Sequence, residues 1–237
     1  VELFASNRIP VEQKNFKIDI TDYFGKEGMI VIANPNAPTG LALSKDEIEE
    51  ILKNARSAIV IIDEAYVDFG AESAADLIPK YDNLIVVGTF SKSRSMAGIR
   101  IGYALGQESL ISDLHRIKYS FNPYSLDGLA VLAGKASVED REYFESTTKM
   151  VIKTRENFIK ELKTLGFEVF DSKANFVFTK NDIISGEELY KQLRENNILV
   201  RYFDENVLRD YVRISIGSDE NMEYTADVLR GIIGNRG

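Results

Sequence analysis

Ala58 to Ile62, five consecutive aliphatic residues running into Asp63, constrains the fold of this chain more than any other stretch. A run so short and so uniformly apolar suits a strand buried on both faces of a parallel sheet. Leu84 to Gly88 and Ile101 to Leu105 read the same way, and Met29 to Ala33 is a further short apolar strand. Between the first two strands, "NPNAPTG" from Asn34 to Gly40 breaks regular structure with two prolines and a glycine. A helix then starts at Ser44, where Ser44 and Glu47 form a capping box and Ile48, Ile51, Leu52 and Ala55 share one face. Glu108 to Tyr119 reads as a helix ended by "FNPYS", and a second helix covers about Leu126 to Ala136. Alternating strands and helices predict a layered α/β sheet.

The flanks of this region read differently. The opening 28 residues are short irregular pieces, with Val11 and Phe16 to Ile20 the best strand candidate, and so abrupt a start leads us to expect preceding sequence. Val138 to Leu165 has the pattern of one long helix, with Phe144, Val151, Phe158, Leu162 and Leu165 as its apolar stripe and Gly166 as its stop. Phe167 to Phe170 and Asn175 to Thr179 follow as strands, and Ser185 with Glu188 boxes another helix start, with Leu189 and Leu193 inward. Ile198 to Phe203 and Tyr211 to Ile216 are strands, and Ser218 caps a last helix carrying Met222, Ala226, Leu229 and Ile233. The expectation is a large domain with a mostly parallel sheet over residues 1–150, then a smaller C-terminal α/β domain over 151–237, the change falling near Met150.

Composition excludes several functions. The 237 residues carry a net charge of −8 and no cysteine. Disulfides and thiolate metal sites are therefore excluded, and a cytoplasmic protein is compatible with this usage. The acidic balance argues against nucleic-acid binding, which needs a basic surface. No apolar run approaches the roughly 20 residues of a membrane span. His115 is the only histidine, expected on a helix surface, so no histidine cluster offers a metal site. Neither G-x-G-x-x-G nor a P-loop occurs.

Chemistry concentrates between Asp63 and Gly102. Neighbouring strand ends deliver Asp63 and Tyr66, then Thr89, Ser91, Lys92 and Arg100. One carboxylate, one lysine and one arginine brought together in this way are what a pyridoxal phosphate (PLP) site requires. A carboxylate on the pyridine nitrogen keeps the ring an electron sink, and Asp63 at a buried strand end suits that role. Glu64, one residue on, points the other way and is read as structural. Lys92 offers the amine for the cofactor aldehyde, with Arg94 and Arg100 as expected cationic neighbours. Thr89, Ser91 and Arg100 can hold a phosphate, Tyr66 can donate to the ring oxygen, and Ala65 is small enough for the ring to lie against the chain. Arg201 and Arg213 interrupt apolar strands, where an arginine is costly without an anion. That anion is a substrate carboxylate or phosphate, or, for Arg201, the side chain of Asp204 or Glu205.

"NPNAPTG", "DEAYVDF", "SKSRSMAGIRIGY", "ANFVF" and "VRISIG", in this order and spacing, resemble the fold-type I PLP-dependent aminotransferases. Within that family the similarity is strongest to the histidinol-phosphate branch, over Met29 to the C-terminus. The resemblance implies Lys92 as Schiff-base lysine, Asp63 on the pyridine nitrogen, Tyr66 on the ring oxygen, and Thr89, Ser91 and Arg100 on the cofactor phosphate. It also implies Arg213 as the substrate-anion anchor, Arg201 on the substrate phosphate, and Asn175 near the substrate. Where the family has asparagine directly before "PTG", this chain has Ala37, with Asn36 one residue earlier as the candidate replacement. The family's chain also carries a further N-terminal segment. The implied activity is transfer of an amino group from histidinol phosphate to 2-oxoglutarate by a homodimer, in histidine biosynthesis. Threonine-phosphate decarboxylases and aromatic-amino-acid aminotransferases share the skeleton, and a non-catalytic module of the same fold is the reading from another class.

Overall fold

The computed structural model describes residues 7–234, so the irregular structure expected for residues 1–6 lies outside them. Two four-stranded sheets organise the molecule. In the first, β1 (Gly28–Ala33), β2 (Ala58–Asp63) and β3 (Leu84–Thr89) run parallel in sequence order. β4 (Gly102–Gly106) closes this sheet antiparallel to β3, Thr89 pairing with Gly102. The expectation of a buried parallel strand at Ile101 to Leu105 is thereby corrected. The chain reverses through the long loop 90–101 after Thr89, and β4 is an edge strand whose Tyr103 and Leu105 are about two-fifths exposed (41% and 42%).

Helix α1 (Lys45–Asn54) covers one face of this sheet. Its capping box is formed in both directions, Ser44 accepting the Glu47 N–H and Glu47 the Ser44 N–H. Ile48, Ile51 and Leu52 then meet Ile30, Ile32, Val60, Ile62, Leu84 and Val86 in the first core. The opposite face is less covered than the apolar runs imply, since Met29 and Val31 of β1 are each 63% exposed.

Helices α2 (Glu108–Phe121), α3 (Gly128–Glu139) and α4 (Arg141–Thr164) lead to the second sheet. The single helix expected from Val138 is broken at Asp140, which ends α3 and caps α4 by accepting the Tyr143 N–H. The second sheet has the order β5 (Glu168–Val169), β6 (Phe176–Lys180), β8 (Val212–Ser215), β7 (Arg201–Tyr202), every pairing antiparallel. The strand expected over Ile198 to Phe203 is reduced to the two residues of β7 that pair with β8. One face packs on α4, α5 (Gly186–Glu195) and α6 (Asp219–Gly234) through Phe158, Leu162, Leu189, Leu193, Met222 and Leu229.

Phe16 to Ile20 is not a strand. Asp19 caps a one-turn 3-10 helix over Ile20–Tyr23, while Phe16, at a positive φ of 62°, seats its ring 5.3 to 5.8 Å from those of Phe170, Phe178 and Tyr211. Tertiary burial of one aromatic ring outweighs local strand preference there.

Candidate active site

The parallel strands of the first sheet end at one edge, and most candidate residues lie just beyond those ends. Asp63 is the last residue of β2, aligned with Ala33 on one side and Val87 on the other. It is half-buried, and its Oδ1 accepts the Ala65 N–H at 3.0 Å, closing the turn. Strand alternation turns Glu64 inward. It is buried and accepts from the Ser73 hydroxyl at 2.7 Å and the Ala74 N–H at 2.6 Å. Burial raises the Glu64 carboxyl above its ordinary range, more than these two donors lower it. Two adjacent carboxylates thus have separate fates, Glu64 buried and Asp63 half-exposed at the strand end.

Tyr66 precedes a one-turn 3-10 helix, Val67–Phe69, and its ring stands edge-on to Phe176 at the start of β6, 5.2 Å between centroids. Lys92 Nζ lies 5.3 Å from the centroid of the same tyrosine. At the end of β3, the Thr89 hydroxyl is 2.9 Å from that of Ser91 and accepts the Ser91 N–H at 3.1 Å. Ser93, buried beside Lys92, donates to the Asp68 carboxylate, tying the lysine loop to the tyrosine loop.

Other candidate residues make contacts of their own. Arg94 sits against the helices that follow the lysine loop. Its guanidinium lies 4.1 Å from the Phe144 ring centroid and donates to the Ser137 carbonyl, because α3 and α4 offer it an aromatic face and a helix-end oxygen. Arg100 is exposed, at a positive φ of 62°, and donates to the Ala97 carbonyl of its own turn at 2.9 Å. Asn36 donates from its side chain to the Thr39 hydroxyl at 3.1 Å, while Ala37 beside it is exposed.

The second sheet supplies the cationic side. Arg201 and Arg213 face each other in register across β7 and β8. Among the described residues neither forms an ion pair, so the bridge considered for Arg201 with Asp204 or Glu205 is not made. The Arg213 guanidinium lies 4.9 Å from the Phe176 centroid and 5.8 Å from that of Phe203, and its Nε is buried with no hydrogen-bond partner. Arg201 lies 5.3 Å from the Phe203 centroid. Like charges directly opposite each other are destabilising, so an anion beside this pair would be favoured, although Arg201 is exposed to solvent. Asn175 precedes β6 with its carbonyl accepting the Ile216 N–H at 2.9 Å. Phe176 therefore joins the two groups of residues, touching Tyr66 beneath Lys92 on one side and Arg213 on the other.

Sequence reasoning missed Arg155, 1% exposed on α4, which donates to the carbonyls of Phe69 and Ala174. Its signal was available: it sits four residues after Val151 and three before Phe158, inside the apolar stripe. Chemically, the described residues offer an amine over a tyrosine ring, a carboxylate and two hydroxyls at strand ends, and a pair of arginines that form no ion pair among those residues.

The family model for "Aminotransferase class I and II" matches residues 4–229. A histidinol-phosphate aminotransferase from Brachyspira hyodysenteriae is 51% identical over 235 residues, covering 98% of this chain and 66% of that relative. This chain thus spans a little under two-thirds of the relative's length. The crystal structure of the histidinol-phosphate aminotransferase from Clostridium acetobutylicum superposes with a TM-score of 0.81 at 30% identity, covering 87% of this chain and 64% of that one. The L-threonine-O-3-phosphate decarboxylase from Porphyromonas gingivalis superposes at 0.72, with 25% identity over 87% of this chain and 65% of that one. The motifs, the sheet that presents them and a match running over nearly the whole chain converge: this chain belongs to the aminotransferase class I and II family.

Proposed function

We propose that the whole protein transfers the amino group of histidinol phosphate to 2-oxoglutarate, forming imidazole acetol phosphate and glutamate in histidine biosynthesis, with PLP as cofactor. The observation that carries this reading is the buried, partnerless Arg213 Nε, in register with Arg201 and joined through Phe176 and Tyr66 to Lys92. That arrangement suits a substrate with an anion at one end and an amine at the other. The 51% identity to a protein named for this activity supports the same substrate.

The strand-end donors support PLP: Asp63 would hold the ring nitrogen, Tyr66 the ring oxygen, Lys92 the aldehyde carbon, and Thr89 and Ser91 the phosphate, with Arg100 joining them on leaving the Ala97 carbonyl of its own turn. Asn36 and Ala65 would border that space. When bound, the cofactor supplies an electron sink for the carbon that carries the donor's amine. Arg213 and Arg201 bind and orient the substrate phosphate, with Asn175 beside it, and Arg213 takes a carboxylate of 2-oxoglutarate in the return half. Lys92 takes the proton from the amine-bearing carbon and redelivers it, as general base and then acid. Across both halves the donor carbon becomes a ketone, and the amine ends on the 2-oxo carbon of the acceptor.

Further features of the proposal concern the whole molecule. The cysteine-free, acidic chain suits the cytoplasm. Among the described residues no helix is long and apolar enough to cross a membrane, and no basic surface favours nucleic acid. Exposed apolar side chains on and between α2 and α3, among them Ile117, Phe121, Tyr124 and Leu129, support a homodimer. Separate cores under the two sheets support a domain change within α4 near Met150, with residues 1–150 and 151–237 on either side. The likeness to the threonine-phosphate decarboxylase favours a second reading on the same arginine pair, in which carbon dioxide leaves the donor.

The test is Lys92→Ala in the intact protein, assayed with histidinol phosphate and 2-oxoglutarate. We expect loss of the cofactor's visible absorbance band and of glutamate formation, by about 10²-fold or more. Undiminished turnover would sink the reading, and carbon dioxide release from threonine phosphate by the parent protein would favour the second.

A further inference from the structure

Arg155 is an arginine in a position where the rest of the helix stripe is apolar. It lies on α4, fully enclosed at 1% exposure. Nη1 donates to the Phe69 carbonyl at 2.7 Å and to the Ala174 carbonyl at 2.9 Å, while Nε and Nη2 donate to Glu156 at 3.1 and 2.7 Å. Its two carbonyl partners are far apart in sequence. Phe69 closes the 3-10 turn that Tyr66 begins, and Ala174 stands two residues before Phe176.

Burying a cation costs free energy that an aliphatic residue in the same stripe would avoid. What the guanidinium offers in return is a planar group that Glu156 grips at Nε and Nη2, so that the two N–H bonds of Nη1 point at the two carbonyls in fixed directions, where a lysine ammonium would turn freely. The two acceptors lie on the two loops whose rings, Tyr66 and Phe176, meet edge-on at 5.2 Å. One carries Tyr66, beneath Lys92, and the other leads into Asn175 and Phe176, against Arg213.

We propose that Arg155 is a positioning residue that sets the separation between the reacting amine at Lys92 and the substrate-anion end at Arg213. The inference rests on the function proposed above. Arg155 touches neither substrate nor cofactor. It acts through the backbone on either side of the site, so its loss misaligns donor binding while the strand-end cofactor residues keep their own places.

The experiment uses the full-length protein loaded with PLP and compares Arg155→Gln with Arg155→Lys. In Arg155→Gln the visible band should remain but its pH titration should shift as the Tyr66 loop loosens, while KM and the spectrally titrated Kd for histidinol phosphate rise about tenfold and kcat changes less than about threefold. Arg155→Lys, with the charge but without the planar group gripped by Glu156, should recover only part of that loss. Adding Arg155→Gln to Arg213→Lys should weaken binding by less than about threefold beyond Arg213→Lys alone, because both act on one contact. In the cofactor-free protein, Arg155→Gln should speed amide exchange at residues 66–71 and 173–176 together. Unchanged KM with only a lower melting temperature, full additivity with Arg213→Lys, or failure of both Arg155 variants to fold would each overturn the assignment. A parent protein that takes up no PLP would defeat the functional reading instead, and the exchange measurement would still decide whether Arg155 joins the two loops.

Discussion

Asp63 and Glu64 are adjacent carboxylates that alternate strand geometry sends to opposite environments. That pair was legible in the sequence because a strand's period of two is local. The depth of Glu64's burial was not, since it depends on Ser73 and Ala74 folding back over it. Its consequence is a pH dependence. The folded Glu64 holds its proton more tightly than the unfolded chain does, because burial disfavours the carboxylate. The stability this contributes is fully present below the ordinary glutamate value of about 4.3 and is lost as pH rises through the raised folded value. Glu64→Gln removes the titration and leaves an amide able to meet both neighbours. We therefore expect the melting temperature of the variant, relative to the parent, to climb between about pH 4 and pH 7. A difference that stays flat across that range in paired thermal scans would contradict the burial argument.

Elements were legible where their determinants lie within one turn. The Ser44–Glu47 box and the stripe Ile48, Ile51 and Leu52 define α1 without reference to the rest of the chain, and the helix forms as they predict. Ser44→Ala leaves the Glu47 N–H without its cap and should cost about 1 kcal/mol, lowering the melting temperature by about 2–4 °C in a chain of this size. Glycine at the same position should cost only a few tenths of a kcal/mol, and an alanine variant as stable as the parent would show that packing alone holds α1. The break at Asp140 obeys the same chemistry, an aspartate accepting the N–H three residues on, and was hidden by apolar periodicity continuing on both sides. β4 was not legible in direction or burial. Its residues are apolar enough for a buried parallel strand, and only the return of the chain after Thr89 makes it an antiparallel edge, with most of its residues exposed among those described.

At the scale of the whole molecule, what the sequence could not disclose is which distant residues meet. Lys92 and Arg213 were each readable from motifs, yet the ring sequence Tyr66–Phe176–Arg213 that joins their neighbourhoods is set by how the second sheet docks against the loops of the first. Phe16 belongs to that same category. It lies within the N-terminal segment, which continues into the 3-10 turn beside α1, yet its ring fills a box made by Phe170, Phe178 and Tyr211 of the second half. Phe178 and Tyr211 are already stacked at 4.6 Å, so the box keeps its walls without Phe16 and loses only the edge contacts to the incoming ring. A fully buried Phe→Ala costs about 3–5 kcal/mol, and each aromatic pair adds about 0.5–1.5 kcal/mol beyond area. For a half-buried ring we expect Phe16→Ala to cost roughly 1–3 kcal/mol. The loss should be asymmetric, because Phe16 crosses from one half to the other without entering either main core. Amide exchange should rise through residues 14–18 and along the outer positions of β5 and β6, while β2 and β3 keep their protection. Equal loss of protection in both sheets would mean instead that the N-terminal segment holds the two halves in a single cooperative unit.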